Sequence, residues 1–147
     1  MQITSKFTIA VHIITAIDYF KDSRTVTSSF LAGSVGCNPV IVRNIMGELK
    51  AAGLISVSQG RSGIALARDV TEITLYDVYA AVGCAEAAGL FHFHENPNAN
   101  CPVGRTIHKA MDPRLEAAQQ ALEESLRGMK LAEVIADTRK ELQKESS

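Results

Sequence analysis

Arg43 and Asn44 carry the clearest chemistry in the chain. Either can hydrogen-bond a base edge or a phosphate. Val40 and Ile41, just ahead of them, have the shape to touch a thymine methyl. Asn38 opens the same run and can accept from first-turn N–H groups, with Pro39 at the first helical position, where no donor is missed. Ser5 and Lys6 form a second group, beside a helix start that itself favours anions. A third group is Gln59, Arg61 and Ser62, in a short loop containing Gly60 and Gly63. Arginine in a narrow minor groove is a recurrent docking device. Ser28 completes the set. Taken singly, Lys6 reads equally well as a solvated charge, and Arg61 reads better as one. Taken together, these residues suit phosphate and base contacts.

The elements that must position them run from Thr25 to Arg68. The pattern predicts a helix opening at Thr27 or Ser28, with Phe30, Leu31 and Val35 as core. A tight turn at Gly36 follows, where a left-handed backbone would exclude bulkier residues. A second helix then spans Asn38–Ala52. Val42, Ile45, Met46, Leu49 and Ala52 share one face and should pack inward, and Gly53 ends the helix. Leu54, Ile55 and Val57 lead into a hairpin, and Ile64, Ala65 and Leu66 lead out. Helix, turn, helix, hairpin is the plan of a winged helix-turn-helix, whose second helix enters the major groove.

Ahead of this unit, a helix capped by Thr4 or Ser5 should run to about Phe20, burying Phe7, Ala10, Val11, Ile14 and Ile17. His12 within it reads as a structural histidine. Behind the hairpin, Thr74 caps a helix carrying Leu75, Val78, Tyr79 and Val82, closed by Gly83. Glu95–Asn100 is turn-rich. A long apolar stripe then follows: Val103, Ile107, Ala110, Met111, Leu115, Ala118, Leu122 and Leu126. Pro113 lies within it, and a nearly continuous, bent helix is expected. One small domain leaves this stripe little to pack on. A homodimer joined through Val103–Leu126 is therefore expected. Gly128 breaks the helix, Leu131, Val134, Ile135 and Leu142 mark a last one, and Lys144–Ser147 should fray. The fold class is mainly α: a winged helix-turn-helix with a two-stranded wing, plus a long C-terminal dimerisation helix. Residues 1–83 form the DNA-binding region and 84–147 the loop and dimerisation helices, as one continuous structural domain.

Composition narrows the class. The chain has 147 residues, 46% of them hydrophobic, enough for one domain with a core. No apolar run approaches the roughly twenty residues that span a bilayer. The opening MQITSKF lacks the apolar core of a signal peptide, so a cytoplasmic protein without membrane contact is expected. The net charge of −1 conceals an asymmetry: residues 1–68 carry +4 and residues 69–147 carry −5. A mildly basic half suits a few phosphate contacts per subunit. Three cysteines do not suggest a disulfide scaffold. No phosphate-binding glycine loop, nucleophile turn or His-Glu-x-x-His run is present, so an enzyme is not expected.

With these residues in place, the chain resembles the Rrf2 family of bacterial winged-helix regulators. This family includes an iron–sulfur-cluster regulator, a nitric-oxide-sensing repressor and a repressor of cysteine metabolism. The resemblance runs nearly end to end. It rests on ITSKFTIAV, VRNIMGELKAAGLISVSQGRSGIALA, EITLYDVYAAV, CPVGRTI and MKLAEVI. It implies a homodimeric repressor on a palindromic operator in double-stranded DNA. Val40, Ile41, Arg43 and Asn44 fall at groove-facing places, Ser5 and Lys6 at a phosphate-facing place, and Arg61 in the wing. The chain also departs from the family. Ile64-Ala65 stands where the wing often has a third glycine and an aromatic. Cluster-holding members carry three closely spaced cysteines before the long helix, and here only Cys101 matches. A [2Fe–2S] centre takes four ligands, mostly cysteine. Cys84, His92, His94 and Cys101 are not a recognised spacing, so no cofactor and no metal are expected, as in the cluster-free branch.

Cys37 reads as a small buried apolar residue. Cys101 precedes a helix start, where the dipole favours a thiolate, so Cys101 is a possible redox sensor, pairing with Cys84 or with its mate in the dimer. Two other functions stand beside the repressor. One is a winged-helix module that binds protein with the same helix. The other is a thiol- or metal-responsive version of the repressor, with His108 among the conceivable metal ligands.

Overall fold

A computed structural model describes residues 5–58, 63–83 and 95–146. The expectations placed on Gln59, Arg61, Ser62, Cys84, His92 and His94 lie outside these residues. Six helices and one two-stranded sheet are described: α1 (Ser5–Phe20), α2 (Ser28–Val35), α3 (Pro39–Ala51), β1 (Ile55–Val57), β2 (Ile64–Leu66), α4 (Leu75–Ala81), α5 (Pro102–Arg127) and α6 (Leu131–Glu145). This is the winged helix-turn-helix with a long C-terminal helix. No described helix is long and apolar enough to cross a membrane.

α1 is the hub. It packs against α2, α3, α4, α6 and β2. Its core therefore exceeds the single predicted stripe: Ile13 and Ala16 are buried beside Ala10, Ile14 and Ile17, while Phe7 and Val11 are only half-buried. Asp18 is buried too, and is held by Lys21 at 3.1 Å and Arg139 at 3.9 Å. Each fully buried Ile or Leu here contributes about 1.5–3 kcal/mol relative to exposure.

The helix pair is defined by its caps. Thr27 Oγ1 accepts from Phe30 N, and Gly36 closes α2 at φ +79°. Leu31 is buried as predicted, but Phe30 and Val35 lie half-buried at the edge. Phe30 stays there because Phe20 packs edge-on against it while Arg24 covers its face 3.8 Å from the centroid.

β1 and β2 pair antiparallel, with Ile55 opposite Leu66 and Val57 opposite Ile64. The wing is also tied sideways, because Ile64 N donates to Val26 O at 3.0 Å. Gly63, at φ +66°, lies so close to that strap that a Cβ there would stand 2.5 Å from Val26 O. Its absent side chain is thus required by packing as well as by the turn.

α4 begins with a reciprocal capping box between Thr74 and Asp77. The segment before α4 pairs with the corner between α5 and α6: Leu75 N donates to Met129 O at 2.8 Å and Leu131 N to Ile73 O at 2.9 Å. Leu126 and Leu131 thereby join the same hydrophobic cluster as α1 and α3. α5 continues through Pro113, as expected, and α6 persists to Glu145, past the predicted fraying point. Lys144 supports that last turn by an ion pair with Glu141 at 3.1 Å.

Candidate nucleic-acid interface

α3 has two unlike faces. Asn38 Oδ1 accepts from Val40 N at 2.8 Å, and Pro39 fills the first helical position. From this fixed start, Val42, Ile45, Met46 and Leu49 turn into the core. Ala52, expected with them, is exposed, because the helix ends at Ala51 and Gly53 turns the chain at φ +77°. The opposite face projects. Val40 is 52% and Ile41 45% exposed, and Arg43 and Asn44 are exposed beside them. Two bare aliphatic side chains next to an arginine and an amide form a surface that matches groove edges in both apolar contact and hydrogen bonding.

The remaining predicted residues divide. Ser5 is exposed at the start of α1, and Ser28 is half-buried at the start of α2. Ser5 and Lys6 stand across a cleft of about 590 Å³ from Ile41 and Asn44. The N-terminus of α1 and the projecting face of α3 therefore share one surface. Lys6 is half-buried and already engaged: its Nζ donates to Glu48 Oε1 at 2.6 Å. Glu48, which sequence reasoning passed over, belongs to this site. Its place one turn beyond Asn44 on the same helical row was the available signal.

His12 Nε2 pairs with Ser34 Oγ at 2.9 Å, and does so at the surface. Cys37 is half-buried rather than buried, its sulfur 3.8 Å from Asn38 O. It occupies the turn between α2 and α3 and packs against the core from its edge.

Cys101 stands at the N-cap position of α5. No capping hydrogen bond from a backbone N–H to its sulfur is formed, but the nearby N–H groups of Gly104 and then Val103 at the helix start hold the thiol below its usual range. Gly104 is needed where the backbone of Asn98 passes it, since a Cβ there would lie 2.4 Å from Asn98 O. Among the described residues no three His, Cys, Asp or Glu side chains gather as metal ligands. Among the described residues Cys101 offers a single thiol, where an iron–sulfur centre takes four ligands.

Comparison with known proteins agrees with this geometry. The family model described as Rrf2, iron-dependent transcriptional regulator, matches residues 3–137. YwnA of Bacillus subtilis (strain 168), whose name describes an HTH-type transcriptional regulator, is 39% identical over 134 residues, covering 91% of this chain and 97% of that protein. A crystal structure whose title describes a DNA-binding protein is 33% identical, with TM-score 0.72, covering 89% of this chain and 99% of that one. The structure of IscR from T. potens shares the fold at 19% identity, with TM-score 0.66, covering 94% of this chain and 88% of that one.

Proposed function

The chain belongs to the Rrf2 family of DNA-binding transcriptional regulators, and from that premise we propose that it is a homodimeric repressor reading a palindromic operator with α3. Members of the family are regulators and not enzymes. The observation that carries the reading is the projecting start of α3, where Val40, Ile41, Arg43 and Asn44 are exposed while Val42, Ile45, Met46 and Leu49 are buried. Arg43 and Asn44 read base edges, Val40 and Ile41 meet thymine methyls, and Ser5 and Lys6 face the backbone. Ser28 and Asn38 lie at the flanks, and the wing residues Gln59, Arg61 and Ser62 complete the contact.

Dimerisation is supported by α5. Val103 is 65% and Met111 47% exposed. Ile107 and Leu115 on the same stripe are half-buried. Pairing α5 with its twin would cover this stripe and set two α3 helices about one DNA turn, roughly 34 Å, apart. The protein then works in the cytoplasm, beside its DNA. Selecting bound genomic fragments, footprinting them, and measuring the mass of the complex by sedimentation tests the reading. A symmetric footprint holding two subunits is expected. An asymmetric footprint with one subunit overturns the dimer, and absence of any salt-sensitive binding favours a protein-interaction module.

The signal is proposed to act without an iron–sulfur cluster, since Cys101 alone matches the cluster positions of the family. The lowered thiol of Cys101 favours a redox-responsive version, with Cys84 as the companion. Anaerobic purification followed by absorbance and iron analysis is expected to give a colourless, iron-free protein. A coloured, iron-containing product overturns this assignment.

A further inference from the structure

Lys6 meets an anion of its own chain before it meets DNA. Its ammonium lies 2.6 Å from Glu48 Oε1, joining the first turn of α1 to the last turns of α3. The second oxygen, Glu48 Oε2, is buried and has no hydrogen-bond partner among the described residues. Lys6 therefore compensates a part-exposed carboxylate, one oxygen of which is shielded from water. Ser5, Ile9, Ile41 and Asn44 line the same cleft. Glu48 follows Asn44 by four residues and Ile41 by seven, so all three share one row of the helix. The carboxylate thus belongs to the surface turned towards the duplex.

We propose that Glu48 is an electrostatic brake on DNA binding, competing with a backbone phosphate for Lys6. This rests on the reading of α3 as the recognition helix. A free lysine that neutralises a phosphate releases a condensed cation, and that release drives binding. A lysine already neutralised by Glu48 gains little by the same move. If Lys6 swings to the phosphate, Glu48 is stranded and must recruit a cation. If the pair stays intact, the phosphate faces a carboxylate as well as an ammonium. The brake acts through the backbone, so it lowers affinity for every sequence by the same factor and leaves base discrimination to Arg43 and Asn44.

The test titrates two labelled duplexes, one of random sequence and one carrying a genome-selected fragment, between about 50 and 200 mM salt. The proteins are wild type, E48Q, E48A, K6A and the K6A/E48Q pair. E48Q is expected to tighten binding to both duplexes by about two- to fivefold per subunit, the span of a partly exposed ion pair. The log–log salt slope should steepen by about 0.9 per subunit. E48A should show the same gain, and the gain should vanish when Lys6 is absent. Weaker or unchanged binding by E48Q and E48A overturns the brake. An equal gain in the K6A background overturns competition for Lys6, and a gain on one duplex alone overturns a backbone mechanism. Failure of the wild type to bind either duplex would instead remove the DNA reading beneath it.

Discussion

Four of the thirteen residues of α3 are buried, Val42, Ile45, Met46 and Leu49. In α5, twice as long, only Leu126 is buried among twenty-six. Both helices carry apolar residues at helical spacing. α3 lies across α1 and α2 and hands its apolar face to them. α5 touches the body through α4 and at its C-terminal corner, leaving Val103 and Met111 bare. An apolar stripe demands a cover but does not say whose. In α3 the cover is the same chain. In α5 most of it must come from elsewhere or be absent.

The largest effect expected from this contrast is at Leu49. Leu49→Ala should cost about 2–5 kcal/mol in chemical denaturation, since it leaves a cavity in a closed core. A loss under about 1 kcal/mol would mean that α3 is not packed as described. Met111→Asp is the counterpart on α5. It should leave far-UV circular dichroism unchanged and weaken self-association by about a hundredfold or more, as a carboxylate in an apolar interface would. Unchanged sedimentation would take α5 out of the interface.

On the outer face of α3, Arg43→Ala should cost about 1–3 kcal/mol on the selected site and much less on random duplex. Equal losses on both would make Arg43 a phosphate contact. The smallest effect is at Cys101. A group with a depressed folded pKa holds its thiolate at lower pH than the unfolded chain does. Alkylation of Cys101, followed in a variant lacking Cys37 and Cys84, should therefore rise at lower pH in the folded protein than in denaturant. Coincident profiles would remove the special thiolate, and with it the redox-responsive version.

Much of α3 was legible because its determinants are local. A capping asparagine, a proline at the first position and apolar residues at 42, 45, 46 and 49 act within a few turns of each other. Ala52 was misplaced because helical spacing carries no information about where the chain turns off. Phe30 was assigned to the core by its type, yet it needed Phe20 and Arg24 to settle at the edge. Ile13 was missed for the opposite reason. A single-stripe reading assumes one buried face, whereas α1 is packed on several sides.

Legible along the chain are the α-helices, the caps of α2, α3 and α4, the wing strands and the residues that the leading end of α3 offers. These follow from dihedral preferences, hydrogen bonds to nearest turns and a 3.6-residue period, all of which act over short separations along the chain. Tertiary structure alone decided that Glu48 holds Lys6, that Val26 straps the wing at Gly63 and Ile64, and that the corner after α5 pairs with the segment before α4. Each joins residues far apart in the chain, brought together only when the apolar faces close around α1. The partner of Lys6 is set by that closure, and no local spacing records it.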